Sequence, residues 1–245
     1  MNIISIDLPW SKNTKGRTAI AIADLAGNVT IERAHDDTDL TKRVQEVAEP
    51  GSIILLDIPI AGCNKLNGDH FRRVDKALLS VKISLFPSSK AGDRGNRLKK
   101  RLLANNKKRL KVYEIYPYAI YKFLAYLKKK EELSSFKPNR LEFLLNEDFR
   151  TDPVPKYKHE KNKGERRKNM EFVYWLLTDP NIWLKFQTPL NHPKDSRNLD
   201  HLSDDYDACL GVVVGLYWAR KSNYACIAGN SRSGEIMLLA DEWLQ

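Results

Sequence analysis

Unbroken apolar runs alternate along this chain with stretches whose apolar positions recur every third or fourth residue. Residues 2–8 read as a buried strand that Pro9 ends. Residues 18–24 and 28–34 read as two more strands, and Leu25-Ala26-Gly27-Asn28 between them is a hairpin turn. Asp39 is placed to cap a helix reaching about residue 49. Leu40, Val44, Val47 and Ala48 line one face of it, and Pro50-Gly51 stops it. Residues 52–58 form a fourth strand, apolar throughout, as expected when both faces are covered. The order predicts an antiparallel meander, then a right-handed crossover that lays the fourth strand parallel to the first.

A loop with Gly62, Asn64, Asn67 and Gly68 follows, and a helix is expected from near Phe71. Residues 94–111 are dense in Lys and Arg, with Leu98, Leu102, Leu103 and Leu110 among them. Residues 111–115 read as a fifth strand. Pro117 can start a helix whose buried stripe is Ile120, Phe123, Leu124 and Leu127. Residues 151–168 are polar and lysine-rich and predict a loop. A helix through Met170, Val173, Leu176 and Leu177 comes next, then a long helix over 203–220 with Ser203 as its cap. Strands at 224–228 and 235–240 close the chain. With no repeat and no linker, residues 1–245 are expected to be one α/β domain. It carries a basic helical insertion at about 90–111 and the lysine-rich loop at about 151–168.

The candidate chemistry is acidic. Asp7 and Asp57 end two strands expected to be parallel, at the edge where open α/β sheets place their ligands. Neighbouring strands lie about 5 Å apart, so the two carboxylates can share one metal ion. Asp204 and Asp207 are three apart on a helix and face the same way, while Asp205 points elsewhere. Glu114 in the fifth strand also reaches that edge if its strand is parallel; otherwise it partners a nearby Arg or Lys. Crowded carboxylates repel unless a cation sits among them. Two bound metal ions would relieve that repulsion, one activating water and the other stabilising a leaving oxygen. Each of these residues alone also has a plain role as turn former, cap or helix-dipole partner.

The net charge of +10 and pI of about 9.4 favour an anionic partner, nucleic acid first. Arg97, Lys100 and Arg101 in the basic segment are candidates to track phosphates. Lys12 and Arg17, after the first strand, are placed to stabilise charge on a substrate phosphate. Trp175, Trp183 and Trp218 are expected in the core, and Trp10 could wall the pocket. The three cysteines have no metal-finger spacing and suggest no disulfide framework. The longest apolar stretch, about 210–219, is too short to span a bilayer. No membrane association is expected, and the cytoplasm is the expected location.

These features together resemble the RNase H-like superfamily. More narrowly, the chain resembles domain-of-unknown-function family 429, described as predicted nucleases of that fold. The likeness rests on Ile6-Asp7-Leu8-Pro9-Trp10-Ser11, Leu56-Asp57-Ile58-Pro59-Ile60, Val112-Tyr113-Glu114-Ile115-Tyr116-Pro117-Tyr118-Ala119 and Asp204-Asp205-Tyr206-Asp207-Ala208. Arg72-Arg73-Val74-Asp75 and Leu85-Phe86-Pro87 add to it, and Arg72 joins the candidate substrate contacts. The resemblance implies an RNase H-like mixed five-stranded sheet in the order 3-2-1-4-5, flanked by helices. It also implies a nuclease using Mg2+ or Mn2+, with Asp7 central, Asp57 on the neighbouring strand and Asp204 and Asp207 on the last helix. The alternatives are a non-catalytic nucleic-acid-binding module of the same fold, or an enzyme that processes nucleotide phosphates.

Overall fold

The structure is a computed structural model that describes residues 1–9, 18–61, 69–80, 83, 85, 87–104, 108–130, 154–158, 160–232 and 234–240. Its strands are β1 (Ile3–Asp7), β2 (Thr18–Ala23), β3 (Asn28–Ala34), β4 (Ile53–Leu56), β5 (Lys111–Ile115), β6 (Lys185–Phe186), β7 (Ala225–Asn230) and β8 (Gly234–Leu239). Its helices are α1 (Asp37–Val47), α2 (Arg73–Ser80), α3 (Arg94–Leu103), α4 (Pro117–Lys130), α5 (Lys163–Leu177) and α6 (Leu199–Ala219). The strands form one mixed sheet in the order β6-β3-β2-β1-β4-β5-β8-β7. The meander β1-β2-β3 is antiparallel, and β4 and β5 run parallel to β1. The order 3-2-1-4-5 is therefore present, as in an RNase H-like core.

The sheet is wider than the five strands expected. β8 pairs parallel with β5, and β7 pairs antiparallel with β8 at the edge. At the other edge the two-residue β6 lies along β3, held by Lys185 N–H on Gly27 O at 2.8 Å and Gln187 N–H on Val29 O at 3.0 Å. A strand that short has no periodicity to read. Two helix starts also differ from expectation. Asp36, not Asp39, caps α1 by accepting from Thr38 and Asp39 N–H, while Asp39 reaches back to His35 N–H. Asn198 caps α6, so that helix begins four residues before Ser203 and carries Asp204 beyond its first turn.

The central strands are buried on both faces, and pleating divides their side chains between two layers. Ile3, Leu55 and Ile115 pack with α4, α5 and α6; Ile4, Ile6, Ile54 and Leu56 pack with Leu40 and Val44 of α1 and Leu98 and Leu102 of α3. Leu98 and Leu102 thus make the basic α3 part of the layer that covers this face of the sheet. The expected lysine-rich loop ends earlier than read: Asn162 accepts from Gly164 and Glu165 N–H and starts α5. Trp175 and Trp183 are exposed (43% and 42%), contrary to the core placement expected for them, while Trp218 packs against the core. No helix among the described residues is long and apolar enough to cross a membrane.

Two glycines set how closely α6 approaches the sheet. A Cβ on Gly211 would lie 1.9 Å from Ser5 Oγ and 2.5 Å from Ile115 Cδ1; one on Gly215 would lie 2.4 Å from Ile3 Cγ2. Gly211→Ala is expected to destabilise by about 1–3 kcal/mol, because overpacking outweighs the better helix propensity of alanine. Urea unfolding checks this, and a neutral or stabilising result would mean that α6 sits farther from β1.

Candidate metal centre

The site is built where β1 and β4 end under α6. Ile6 pairs with Leu56, and Asp57 N–H donates to Ile6 O at 3.0 Å, so Asp7 and Asp57 come next in register. Residues in register on parallel strands point to the same face. Both carboxylates therefore emerge on the α6 side at the carboxyl ends of the strands. α6 packs on β1 and presents Asp204 and Asp207 one turn apart. Asp7, Asp204 and Asp207 are buried, and Asp57 is half-buried. Among the described residues, Asp7, Asp57 and Asp207 form a group that could hold a metal ion, each offering a carboxylate oxygen within 4.8 Å of the others.

A lysine unmarked by the sequence reading stands in the middle of this cluster. The ammonium of Lys158 pairs with Asp207 Oδ2, lies 3.3 Å from Asp7 Oδ2 and is 3.6 Å from Asp204 Oδ1. Tyr157 beside it donates its hydroxyl to Asp207 Oδ1. The Tyr157 ring is buried at 3% exposure and packs edge-on against Tyr121 in the core, within the stretch expected to be a lysine-rich loop.

Burial raises the pKa of Asp7 well above the carboxylate range; Lys158 opposes that rise, and the neighbouring aspartates add to it. Burial likewise pushes Asp57 up to about 7, with Lys158 and a hydrogen bond from Asp7 pulling the other way. Asp207 is raised by burial too, against the pull of Lys158 and Tyr157. For Lys158, burial lowers the pKa, but the four carboxylates outweigh it and hold the ammonium protonated.

A stability prediction follows from Asp57. An unfolded aspartate loses its proton near pH 4, whereas the folded one keeps it to about pH 7. Between those values the folded state binds more protons, so stability falls as pH rises through the window. Three pKa units correspond to at most about 4 kcal/mol, shared among coupled groups. Asp57→Asn removes the effect. In chelator at pH 8 this variant is expected to melt several degrees above the parent, with the gap closing at pH 4.5. A gap independent of pH would refute the assignment.

Glu114 does not join the cluster. It pairs with Leu56 in the β4–β5 register, so Ile115, not Glu114, is level with Asp57, and the glutamate points to the opposite face. There it accepts from Ile60 N–H at 2.8 Å, Ala61 N–H at 3.3 Å and Arg72 Nη1 at 2.7 Å. Arg72 is 4% exposed, and Asp75 grips it through Nε and Nη2. The arginine, named above as a candidate substrate contact, is engaged in a buried ion network with Asp75 and Glu114. Asp205 also turns away, as its position one residue after Asp204 implied, and pairs with Arg33 on β3 at 2.5 Å.

Arg97, Lys100 and Arg101 are exposed on α3. That helix starts at the acidic edge: Arg94 donates to Pro9 O, and Gly95 lies so close that a Cβ would meet Pro59 O at 2.1 Å. Its cations therefore extend from the residues that follow Asp7 and Asp57. Lys12, Arg17 and Trp10 lie outside the described residues, as do Gly62, Asn64, Asn67, Gly68 and Phe86.

The donor set is all carboxylate oxygen, which fits a hard divalent cation and not a soft one. No family model matches the chain, and neither a curated protein nor a solved structure matches it.

Proposed function

We propose that this chain is a nuclease that hydrolyses a phosphodiester bond of nucleic acid with the help of Mg2+ or Mn2+. The observation that carries this reading is the convergence of Asp7, Asp57 and Asp207, from two strand ends and one helix, on a region 4.8 Å across. Asp7, Asp57 and Asp207 would hold the ion, and Asp204 would shape the field around it. A divalent ion there supplies a Lewis acid that makes water more acidic and offsets charge on a phosphoryl oxygen. The exposed cations of α3 would guide a polyanion toward the acidic edge. The likeness to family 429, read from the sequence motifs, points in the same direction.

One observation favours a second reading, a nucleic-acid-binding module without catalysis. Lys158 already offsets part of the carboxylate charge, so the cluster has a counter-ion of its own. A labelled panel separates the two readings: single and double strands, a DNA–RNA hybrid and a four-way junction, each with Mg2+, Mn2+ or chelator. Cleavage that requires the metal supports the nuclease. Binding that persists in chelator, with no cleavage of any substrate, selects the module.

A further inference from the structure

We propose that Lys158 is a resident cation of this centre, so that the site takes one divalent ion where an all-carboxylate site would take two. This rests on the metal-binding reading above and goes beyond it.

The first ground is position. The ammonium lies against Asp7, Asp204 and Asp207 together, the place that a second ion, held by Asp204 beside the Asp7-Asp57-Asp207 group, would take. Both oxygens of Asp207 already meet this segment, Oδ1 through the Tyr157 hydroxyl and Oδ2 through Lys158. A second divalent ion beside the ammonium would face strong repulsion at such range.

The second ground is anchorage. Lys158 does not hang on a free loop. Val154 and Tyr157 are buried, Tyr121 Oη donates to Pro155 O at 3.2 Å, and Asn169 Nδ2 donates to Lys156 O at 2.8 Å. Arg166 ties the segment to α6: Nε donates to Tyr157 O at 3.0 Å, Nη1 to Asp200 at 2.7 Å and Nη2 to Leu199 O at 3.2 Å. The segment and the helix that carries Asp204 and Asp207 are thus held as one unit. This arrangement suits a fixed counter-ion better than a plug that withdraws.

The third ground is charge. Four carboxylates, one ammonium and one divalent ion sum to a single negative charge, which suits an anionic substrate better than the uncompensated cluster does.

The test is the stoichiometry of Mn2+ binding, by equilibrium dialysis with Asp7→Asn as the background. The native chain is expected to bind one ion, Lys158→Ala two and Lys158→Arg one. Circular dichroism checks that each variant is folded; if Lys158→Ala is not, Lys158→Gln takes its place. Two ions in the native chain would overturn the proposal and leave the metal site intact. One ion in both the native chain and Lys158→Ala would also overturn it. No ion in the native chain but binding in Lys158→Ala would make the lysine an inhibitor instead. No ion in any form would overturn this proposal together with the metal reading beneath it.

Discussion

Asp7→Asn is expected to lower metal-dependent cleavage by on the order of 10³-fold, the scale of removing a group that organises charge in a transition state. Asp7 is 4% exposed and central to the cluster: it shares the candidate metal site with Asp57 and Asp207, hydrogen-bonds Asp57 and lies 3.3 Å from Lys158. Asparagine keeps the shape and removes one charge from a buried, repulsive group. The variant should therefore fold, and in chelator it should be no less stable than the parent. Rates on the best substrate of the panel, with melting curves on the same samples, check both halves. Retained cleavage in a folded variant would remove Asp7 from the chemistry. A variant that fails to fold would show that the carboxylate is structural.

Arg72→Ala is expected to cost about 3–5 kcal/mol of stability, because it leaves two buried carboxylates without their counter-charge. Arg72 Nη1 bonds Glu114 Oε1 at 2.7 Å and Ala61 O at 2.9 Å, while Nε and Nη2 bond Asp75 at 3.0 and 2.8 Å. Ser88 Oγ also donates to Asp75, so the network joins α2, the end of β5 and the segment after β4. Denaturant unfolding measures the loss. Glu114→Gln provides the functional contrast: it should keep cleavage within a few-fold under conditions where the protein is folded. A loss as large as that of Asp7→Asn would place Glu114 in the reaction after all. A stable Arg72→Ala would mean that the network is solvated and weak.

The Glu114 result shows how far a motif can mislead. The sequence puts an acid in a strand parallel to β4 and near its carboxyl end, and both points hold. Side chains alternate every residue, however, so an offset of one turns the carboxylate to the other face. Nothing in Val112-Tyr113-Glu114-Ile115 states that offset, because both faces of this strand are covered. Asp204 and Asp207 were easier to place, since their spacing within one helix fixes their common face whatever the helix packs against.

By itself the sequence determined the elements and the acids at their ends. Apolar runs closed by aspartate and proline located β1 and β4, the crossover rule ordered the central strands, and helical spacing paired Asp204 with Asp207. Only the tertiary structure decided which charges meet. It turned Glu114 toward Arg72, attached β6 and the β7–β8 pair to the sheet edges, and brought Lys158 to Asp7 across 151 residues of chain. The physical reason is that periodicity is local and reports that a position is covered. What covers it depends on register and on contacts between distant segments, and these are settled when the layers pack.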